Sequence, residues 1–490
     1  MQPTFISRST YIALFLLLGV VYIVGLFVPL MDNDSAHHAA IALRMYQTGD
    51  YVNLVDLGHD YLDKPHLHFW LSAASYHLFG ATSFAYKFPS FLFTLLGTYA
   101  TFRLGKSLYD AEVGKLAALM VASSFGYILA NNDVRMDAIL TASIIFATWQ
   151  LVDWVDNKRL INVVGAALGL ALGFATKGHI AVFTPGVAIL FYILYKREWK
   201  VLWSAQFFML IVAFFLFISP VVYCYYLQFD LHPEKVIRGK SGRSGVAFIL
   251  WQQNFERFQG DSWGGDGKND RFFFLHSFLW AFAPWSIIAF TAFFSRLNSF
   301  KKRQWEWLTL GTFAVLGLMI SFSGFKLPHY LNIIFPVSSV LAAAYLYQKF
   351  YDQKIIKQLF VVQAVLSVLL LLAAGIMNVW AFPIQNWMAI IGFFVLLAAV
   401  VFLFKKTDTK HQRLIVVPRR PARACGGCAI QRAAAWRRRS TNWRAIQGAK
   451  LILPMFISGP ISTAPRIIFT VASCTSIFPI RFTGKKIRCG

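Results

Sequence analysis

Long, unbroken runs of apolar residues dominate this sequence and restrict what it can fold into. Of its 490 residues, 57% are apolar and 14% are charged, whereas a soluble domain has about 25% charged residues. A run of about 17–25 apolar residues has the length of a helix that crosses a bilayer. The sequence contains about twelve such runs, at 10–31, 86–105, 113–130, 138–155, 160–176, 179–195, 203–227, 274–294, 306–322, 330–347, 357–379 and 387–404. It therefore predicts an all-α polytopic membrane protein.

The lysine and arginine residues predict the orientation of these spans. They recur in alternate connections, at 103–115, 158–159, 196–200, 296–303, 349–357 and 405–410. Short loops rich in Lys and Arg stay on the cytoplasmic side of a membrane. We therefore predict a cytoplasmic N-terminus, with the two long loops, 32–85 and 228–273, on the outer face.

The last eighty residues differ from the rest of the chain. Residues 411–490 hold 15 basic residues and no acidic one, so the net charge of +25 does not indicate nucleic-acid binding by the whole protein. We divide the chain into a membrane domain, 1–410, and an atypical basic tail, 411–490, whose composition indicates a frameshifted or disordered segment. The alternative is a basic tail that binds anionic lipid headgroups.

The start of the first outer loop places several ionisable side chains at a membrane exit. Asp32, Asp34, His37 and His38 lie within seven residues. Carboxylates there can act as a general base or bind a divalent cation. The alternative is an acidic cap of the helix that begins here, and the two roles are compatible.

A second polar segment of the same loop contains Asp63 and Lys64 before a proline. Lysine binds phosphate as a point charge, and the alternative is a surface ion pair worth little energy. The following Phe69 and Trp70 favour a helix that lies in the membrane interface.

Three short outer turns also carry ionisable residues, among them Asp137, Lys177 and Lys326. Charges near membrane depth usually face protein or water, so we predict one shared polar site on the outer rim. The alternatives are that Asp137 caps a helix or pairs with Arg135, and that each lysine snorkels from a helix end.

In this order, the segments resemble the glycosyltransferase C (GT-C) superfamily. The similarity is to the bacterial branch related to protein O-mannosyltransferases and to the lipid A aminoarabinose transferase (families 39 and 83). It covers about residues 10–400 and is carried by Asp34–Ala39, Thr48–Val52, Asp63–Trp70, Leu78–Gly80, Val134–Asp137, Ala175–Gly178 and Lys326–Tyr330.

Two departures from the family pattern fall at the start of the first loop. The Asp-Glu pair of the family is Asp34-Ser35 here, and its Arg-Tyr pair is His37-His38. If the missing carboxylate serves a metal ion, Asp32 or a histidine can replace it.

The resemblance implies a GT-C fold with interfacial helices in the two long outer loops. It also implies an inverting glycosyltransferase of a bacterial inner membrane, with its active site on the outer face. The donor would be a sugar linked to polyprenyl phosphate, and the acceptor a hydroxyl of a protein or of a glycolipid such as lipid A. The implied partners are these substrates and the bilayer, with no nucleic acid.

The resemblance also implies roles for the rim residues. Asp34 would be the general base, and Asp137 would position the acceptor or bind a cation. A departing phosphate needs cations around it. The residues that would bind the donor phosphate are Lys64, Lys326, His329, Tyr330 and Arg243. The residues that would support the site are Asp32, His37, His38, Asp63 and Lys177. No cofactor is assigned, and if a divalent cation takes part its candidate ligands are Asp34, Asp137 and His37.

A transporter or flippase for a lipid-linked or anionic substrate is the alternative function, because intramembrane charges and helix breaks can line a substrate path. No inverted repeat is visible, and the ionisable residues gather on one face. A ligase of lipid-linked polysaccharide is a third class.

Overall fold

The computed structural model describes residues 6–376 except 135, 238–239, 253–269, 271, 323–325 and 351. The described residues belong to one compact unit. The predicted twelfth span and the basic tail lie outside the described residues. The division at residue 411 and the nature of the tail therefore stay predictions.

Helices make up nearly all of the regular structure. The fifteen described helices of eight or more residues are α1 Arg8–Leu26, α2 Asn33–Thr48, α3 Leu67–Phe79, α4 Ser83–Leu108, α5 Ala111–Ala122, α6 Phe125–Asn132, α7 Asp137–Asn157, α8 Leu160–Lys177, α9 Ile180–Lys196, α10 Ala205–Tyr225, α11 Phe273–Ala281, α12 Ser286–Asn298, α13 Leu308–Ser321, α14 Phe335–Lys349 and α15 Gln353–Ile376. Shorter helical turns are Trp199–Trp203, Tyr226–Asp230, Gly245–Ala247, Phe248–Gln252, Phe300–Lys302 and Pro328–Ile334. Two antiparallel hairpins complete the fold, Val55–Asp56 with His59–Asp60 and Val236–Ile237 with Lys240–Ser241.

The helices confirm the predicted fold class. Eleven of the twelve predicted spans coincide with helices or with pairs of consecutive helices. Among the described residues, five helices are long and apolar enough to cross a membrane, and the pair α5 and α6, bent by 56°, makes a sixth if it counts as one span. The remaining predicted spans are shorter, more polar or interrupted helices, such as α9 and α13.

Burial separates central helices from those at the periphery. In α7, 89% of the apolar window is buried inside the protein, whereas in α1 and α10 the share is 22%. Residues such as Leu16 and Leu216 are each 68% exposed, as expected where lipid covers the surface. Small residues bring central helices together: a side-chain carbon added to Gly105 in α4 would lie 2.9 Å from the Cα of Gly114 in α5. Such backbone contact is a usual means of helix association in membranes.

The two long outer loops contact each other. Gln228, at the end of α10, is fully buried, and its side chain exchanges two hydrogen bonds, of 2.9 and 2.8 Å, with the backbone of Leu54. The same amide donates to Asp60 at 2.9 Å, and Lys235 pairs with Asp60 at 3.1 Å. The first loop is therefore anchored to the second on one side of the helix bundle.

Lys87 fixes the end of α1 from inside the protein. Its side chain is fully buried in α4, and its ammonium donates to the carbonyls of Gly25 at 3.2 Å and Val28 at 2.6 Å. These carbonyls belong to the last turn of α1 and the segment after it, where helical hydrogen bonds run out. The carbonyl of Gly25 also accepts from the backbone nitrogen of Val28 at 3.4 Å. The charge of Lys87 also interacts with Asp133.

We expect Lys87→Met to lower the free energy of unfolding by about 1–3 kcal/mol, because it removes both hydrogen bonds and leaves the carbonyl of Val28 without a donor. Thermal unfolding in detergent measures the effect. Lys106→Met is the matched control, since Lys106 lies at the other end of α4 and is exposed. Equal unfolding midpoints in the two variants would contradict the anchoring role.

Candidate active site

Asp32, and not Asp34, caps the first helix of the outer loop. The Asp32 carboxylate accepts a hydrogen bond of 2.8 Å from the backbone nitrogen of Asp34, and the backbone of Asp32 is extended, as a cap requires. Asp34 lies in the first turn of α2 with an exposed side chain. The helix cap and the predicted general base are thus different carboxylates.

The two histidines that follow face different surroundings. His37 is partly exposed and lies 3.2 Å from the carboxylate of Asp56 in the first hairpin. His38 is buried and packs edge-on against His68 and Phe69 of α3, with ring centroids 6.0 and 5.8 Å away. His37 therefore ties α2 to the hairpin, while His38 faces the interior of the site.

The buried imidazole rings of this loop are held neutral. Burial, followed by the charges of His68 and Lys64, holds the pKa of His38 well below its usual range. Burial likewise lowers the pKa of His68 to about 3 and that of His66 to about 4. The Nε2 atom of His66 donates to the carbonyl of Val52 at 2.8 Å, so its ring is fixed as well as buried.

A chain of hydrogen bonds also sets the tautomer of His68. Tyr86 donates its hydroxyl proton to the carbonyl of Val134 at 3.1 Å, so its oxygen is left to accept. His68 Nε2 lies 3.0 Å from that oxygen and must therefore carry the proton. The Nδ1 atom of His68 is then a buried acceptor, without a hydrogen-bond partner among the described residues.

We expect the protein to lose stability as the pH falls from about 6.5, the ordinary histidine pKa, to about 4. The folded-state pKa values of His66 and His68 are lowered, so in this window the unfolded chain binds protons that the folded chain does not. Unfolding midpoints in detergent from pH 7 to pH 4 measure the loss. His66→Gln should flatten the profile, and His59→Gln, at an exposed site, should not. Parallel profiles for both variants would contradict the assignment.

Asp137 and Lys177 form a buried ion pair at the centre of the rim. Asp137 begins α7 and Lys177 ends α8, and their charged atoms are 2.8 Å apart with side chains 3% and 9% exposed. The second carboxylate oxygen of Asp137 lies 3.9 Å from His329 Nε2. The ammonium of Lys177 stands over the ring of Tyr330 at 5.1 Å. Lys177 therefore does not snorkel toward solvent, and Asp137 has a partner other than Arg135.

Electrostatic interactions join these residues to those of the first loop. His38 interacts with both Lys64 and Lys177, and His68 interacts with Asp137. Tyr86, which is bonded to His68, interacts with Asp34. We call these residues the rim cluster: Asp34, His37, His38, Lys64, His68, Tyr86, Asp137, Lys177, His329 and Tyr330. The structure thus brings together side chains from five separate segments that the sequence singled out, and adds Tyr86, which it did not.

Other predicted site residues make contacts elsewhere. Lys326 interacts with Asp270 near the end of the second loop. The guanidinium of Arg243 stands over the ring of Phe248 at 5.2 Å. Neither contact is with a residue of the rim cluster. Asp63 is half-buried beside Lys64, so it stays a predicted supporting residue.

The three predicted metal ligands are not assembled. Asp137 is paired with Lys177 and His37 with Asp56. Across the described part of the chain, no three His, Cys, Asp or Glu side chains lie close enough to hold a metal ion. A cationic partner for Asp137 is supplied by Lys177, and a role for a divalent cation stays a prediction.

Asp133 is a carboxylate of this region that was not among the predicted site residues. The Ser35 hydroxyl lies 2.8 Å from the Asp133 carboxylate and 2.9 Å from the carbonyl of Asp32. A carboxylate from the outer turn at 131–137 therefore lies beside position 35. The family pattern has Glu at that position, and this chain has Ser. The available sequence signal for Asp133 was the serine at position 35 together with the acidic turn at 131–137.

The chain is similar in sequence and in fold to a class of proteins, the polytopic helical glycosyltransferases of the GT-C type. A family profile described as dolichyl-phosphate-mannose-protein mannosyltransferase matches residues 63–224. The structure is similar to ArnT from Cupriavidus metallidurans bound to undecaprenyl phosphate, with a TM-score of 0.66 and 19% identity over 83% of this chain and 73% of that one. An oligosaccharyltransferase from Archaeoglobus fulgidus shares the fold more distantly, with a TM-score of 0.51 and 11% identity over 81% and 55% of the two chains.

Within this class, the chain resembles the aminoarabinose transferases. It is 26% identical over 338 residues to the undecaprenyl phosphate-α-4-amino-4-deoxy-L-arabinose arabinosyl transferase of Pseudomonas aeruginosa strain UCBPP-PA14. The match covers 66% of this chain and 57% of that relative. The resemblance predicted from the sequence, to a GT-C membrane protein similar to lipid A aminoarabinose transferases, is thereby confirmed.

Proposed function

We propose that this protein transfers a sugar from a polyprenyl-phosphate-linked donor to a hydroxyl acceptor at the outer face of a bacterial inner membrane. The observation that carries the proposal is the rim cluster, in which Lys64 and Lys177 both interact with one buried imidazole, His38. A cationic pocket beside a carboxylate at the edge of a helix bundle suits a donor whose phosphate is at the membrane surface and whose tail is in lipid.

The proposed reaction is a single inverting displacement. Asp34 takes the proton of the acceptor hydroxyl, and the acceptor oxygen forms a bond to the anomeric carbon. The bond from that carbon to the phosphate oxygen breaks, and polyprenyl phosphate leaves as an anion. Removing the hydroxyl proton in the transition state contributes about 10²–10⁴-fold to rates of this kind.

Lys64 and Lys177 are the proposed cations for the departing phosphate. Lys177 is held by Asp137 at 2.8 Å and by the ring of Tyr330, so its ammonium is already oriented when the donor arrives, and fixed charges are the most effective stabilisers of a developing anion. His329, next to Asp137, would complete the pocket. Lys326 and Arg243 stay proposed contacts of the donor from neighbouring loops.

The donor and acceptor classes follow from the relatives. Several are named as aminoarabinose transferases that use an undecaprenyl phosphate donor, so an amino pentose is the proposed sugar and a glycolipid such as lipid A the proposed acceptor. The mannosyltransferase profile supports a hexose and a protein acceptor as the second candidate pair. We also propose the orientation predicted above, with a cytoplasmic N-terminus.

A transfer assay in detergent tests the proposal against a transporter or flippase. The purified full chain is incubated with undecaprenyl phosphate aminoarabinose and lipid A, and the product is followed by mass spectrometry. Transfer without a membrane or a gradient is expected of a transferase. Movement of the lipid across liposomes without any transfer in detergent would favour the transporter. A mannose-linked donor with a protein acceptor is the parallel arm.

We expect Lys64→Ala to weaken use of the donor. Loss of one cation from the phosphate pocket should raise the KM for the donor about tenfold or more, since a hydrogen bond to a charged group is worth about 1.5–3 kcal/mol. The control is Lys106→Ala, which removes an exposed lysine near the C-terminal end of α4. A KM equal to that of the control would place Lys64 in a surface ion pair.

A further inference from the structure

A basic and aromatic turn joins α12 to α13, at the opposite end of α13 from the rim cluster. Between Arg296 and Trp307 the chain carries four basic residues, one acidic residue and two tryptophans. Arg296 is only 3% exposed, and its guanidinium stacks on the ring of Trp305 at 3.8 Å. A guanidinium buried in this way needs acceptors for its N–H groups.

The donors of this turn outnumber its available acceptors. Nε and Nη1 of Arg296 and Nε1 of Trp307 are buried and have no hydrogen-bond partner in the described chain. Both residues line a small cavity of about 10 Å³, together with Ser299, Phe300, Trp305, Glu306 and Leu310.

The acid in this cavity is already engaged. One carboxylate oxygen of Glu306 accepts from the hydroxyls of Tyr109 and Thr309, and the other accepts from the backbone nitrogen of Thr309 at 2.9 Å. Glu306 offsets part of the charge of Arg296 through the hydroxyl of Tyr109, to which Nη2 of Arg296 donates at 3.4 Å. It accepts no hydrogen bond from Nε or Nη1 of Arg296 or from Nε1 of Trp307.

We propose that this cavity binds one phosphate oxygen of an anionic phospholipid. Its volume admits about one oxygen atom, so the rest of the ligand must lie outside, at the exposed Lys301 and Lys302. Arg303 covers the ring of Trp307 at 4.7 Å and adds charge at the mouth. Tryptophans mark the membrane interface, and basic pockets between spanning helices bind anionic headgroups. The site faces the leaflet opposite the one proposed for the sugar donor.

Lipid titration of the purified full chain tests the site. Native mass spectrometry and thermal unfolding are recorded with phosphatidylglycerol, phosphatidylcholine or inorganic phosphate added. We expect bound phosphatidylglycerol and a higher unfolding midpoint with that lipid alone. Trp307→Phe, which keeps the ring that stacks on Phe300 at 4.5 Å but removes the N–H donor, should weaken phosphatidylglycerol binding about tenfold. Arg296→Lys, which keeps the charge but loses the planar fork of donors, should do the same.

The control is Trp199→Phe, at a tryptophan that is 45% exposed. Equal binding of the two lipids, or unchanged binding in Trp307→Phe, would overturn the proposal and leave a cavity that holds water. Equal stabilisation by inorganic phosphate would replace the lipid with a free anion. Because lipid binding is measured without sugar donor, failure here is distinguishable from failure of the proposed transfer activity.

Discussion

Asp34→Asn is expected to reduce sugar transfer about 10²–10⁴-fold, because it removes the proposed general base and leaves a side chain of nearly the same shape. The rate at saturating donor and acceptor should fall, while donor affinity should change little, since Asp34 does not belong to the phosphate pocket. The measurement is initial transfer rate in detergent, with donor and acceptor varied in turn. Folding should be unaffected because the Asp34 side chain is exposed.

Asp32→Asn is the matched control for this prediction. It makes the same change in charge two residues away, and asparagine caps a helix about as well as aspartate, so α2 should still begin at Asn33. Transfer by this variant should stay within a few-fold of the parent. A comparable loss in both variants would show that the negative charge of the segment matters and that Asp34 is not the base.

The helices could be predicted because lipid leaves little choice. Every backbone polar group in a bilayer must be satisfied within its own segment, so an apolar run long enough to span becomes a helix. Interruptions were harder to locate. The pair α5 and α6 bends by 56° at Ser123 and Ser124, within a run predicted as one span. Two serines that make local hydrogen bonds are a weak signal of a helix break in a single sequence.

The candidate site was predictable in its residues and not in its contacts. Asp137 and Lys177 were each singled out from the cost of placing a charge near membrane depth, but residues 40 positions apart give no sign in the sequence that they pair. The same holds for Ser35 and Asp133, which are 98 positions apart. The contacts that Lys326 and Arg243 make likewise depend on tertiary packing.

Breaking the pair of Asp137 and Lys177 is expected to have the largest effect on stability. Lys177→Met leaves the carboxylate of Asp137 buried without its cation, and removing one partner of a buried ion pair costs about 3–5 kcal/mol. Asp137→Asn conversely leaves the ammonium of Lys177 buried without its carboxylate. Both variants should unfold at clearly lower temperatures in detergent. Lys196→Met is the control, because its pair with Asp156 at 3.2 Å is 35% and 19% exposed and such pairs are worth about 1 kcal/mol or less.

The double variant Asp137→Asn with Lys177→Met separates a structural role of this pair from a functional one. Replacing both charges removes the penalty of an unpaired ion, so the unfolding midpoint should recover most of its loss. Transfer should not recover, because the cation that stabilises the departing phosphate is still missing. If transfer returned together with stability, the pair would serve only to hold α7 against α8. Lys64 would then bind the departing phosphate without help from Lys177. The difference between the two readouts therefore separates what the pair contributes to folding from what it contributes to the reaction.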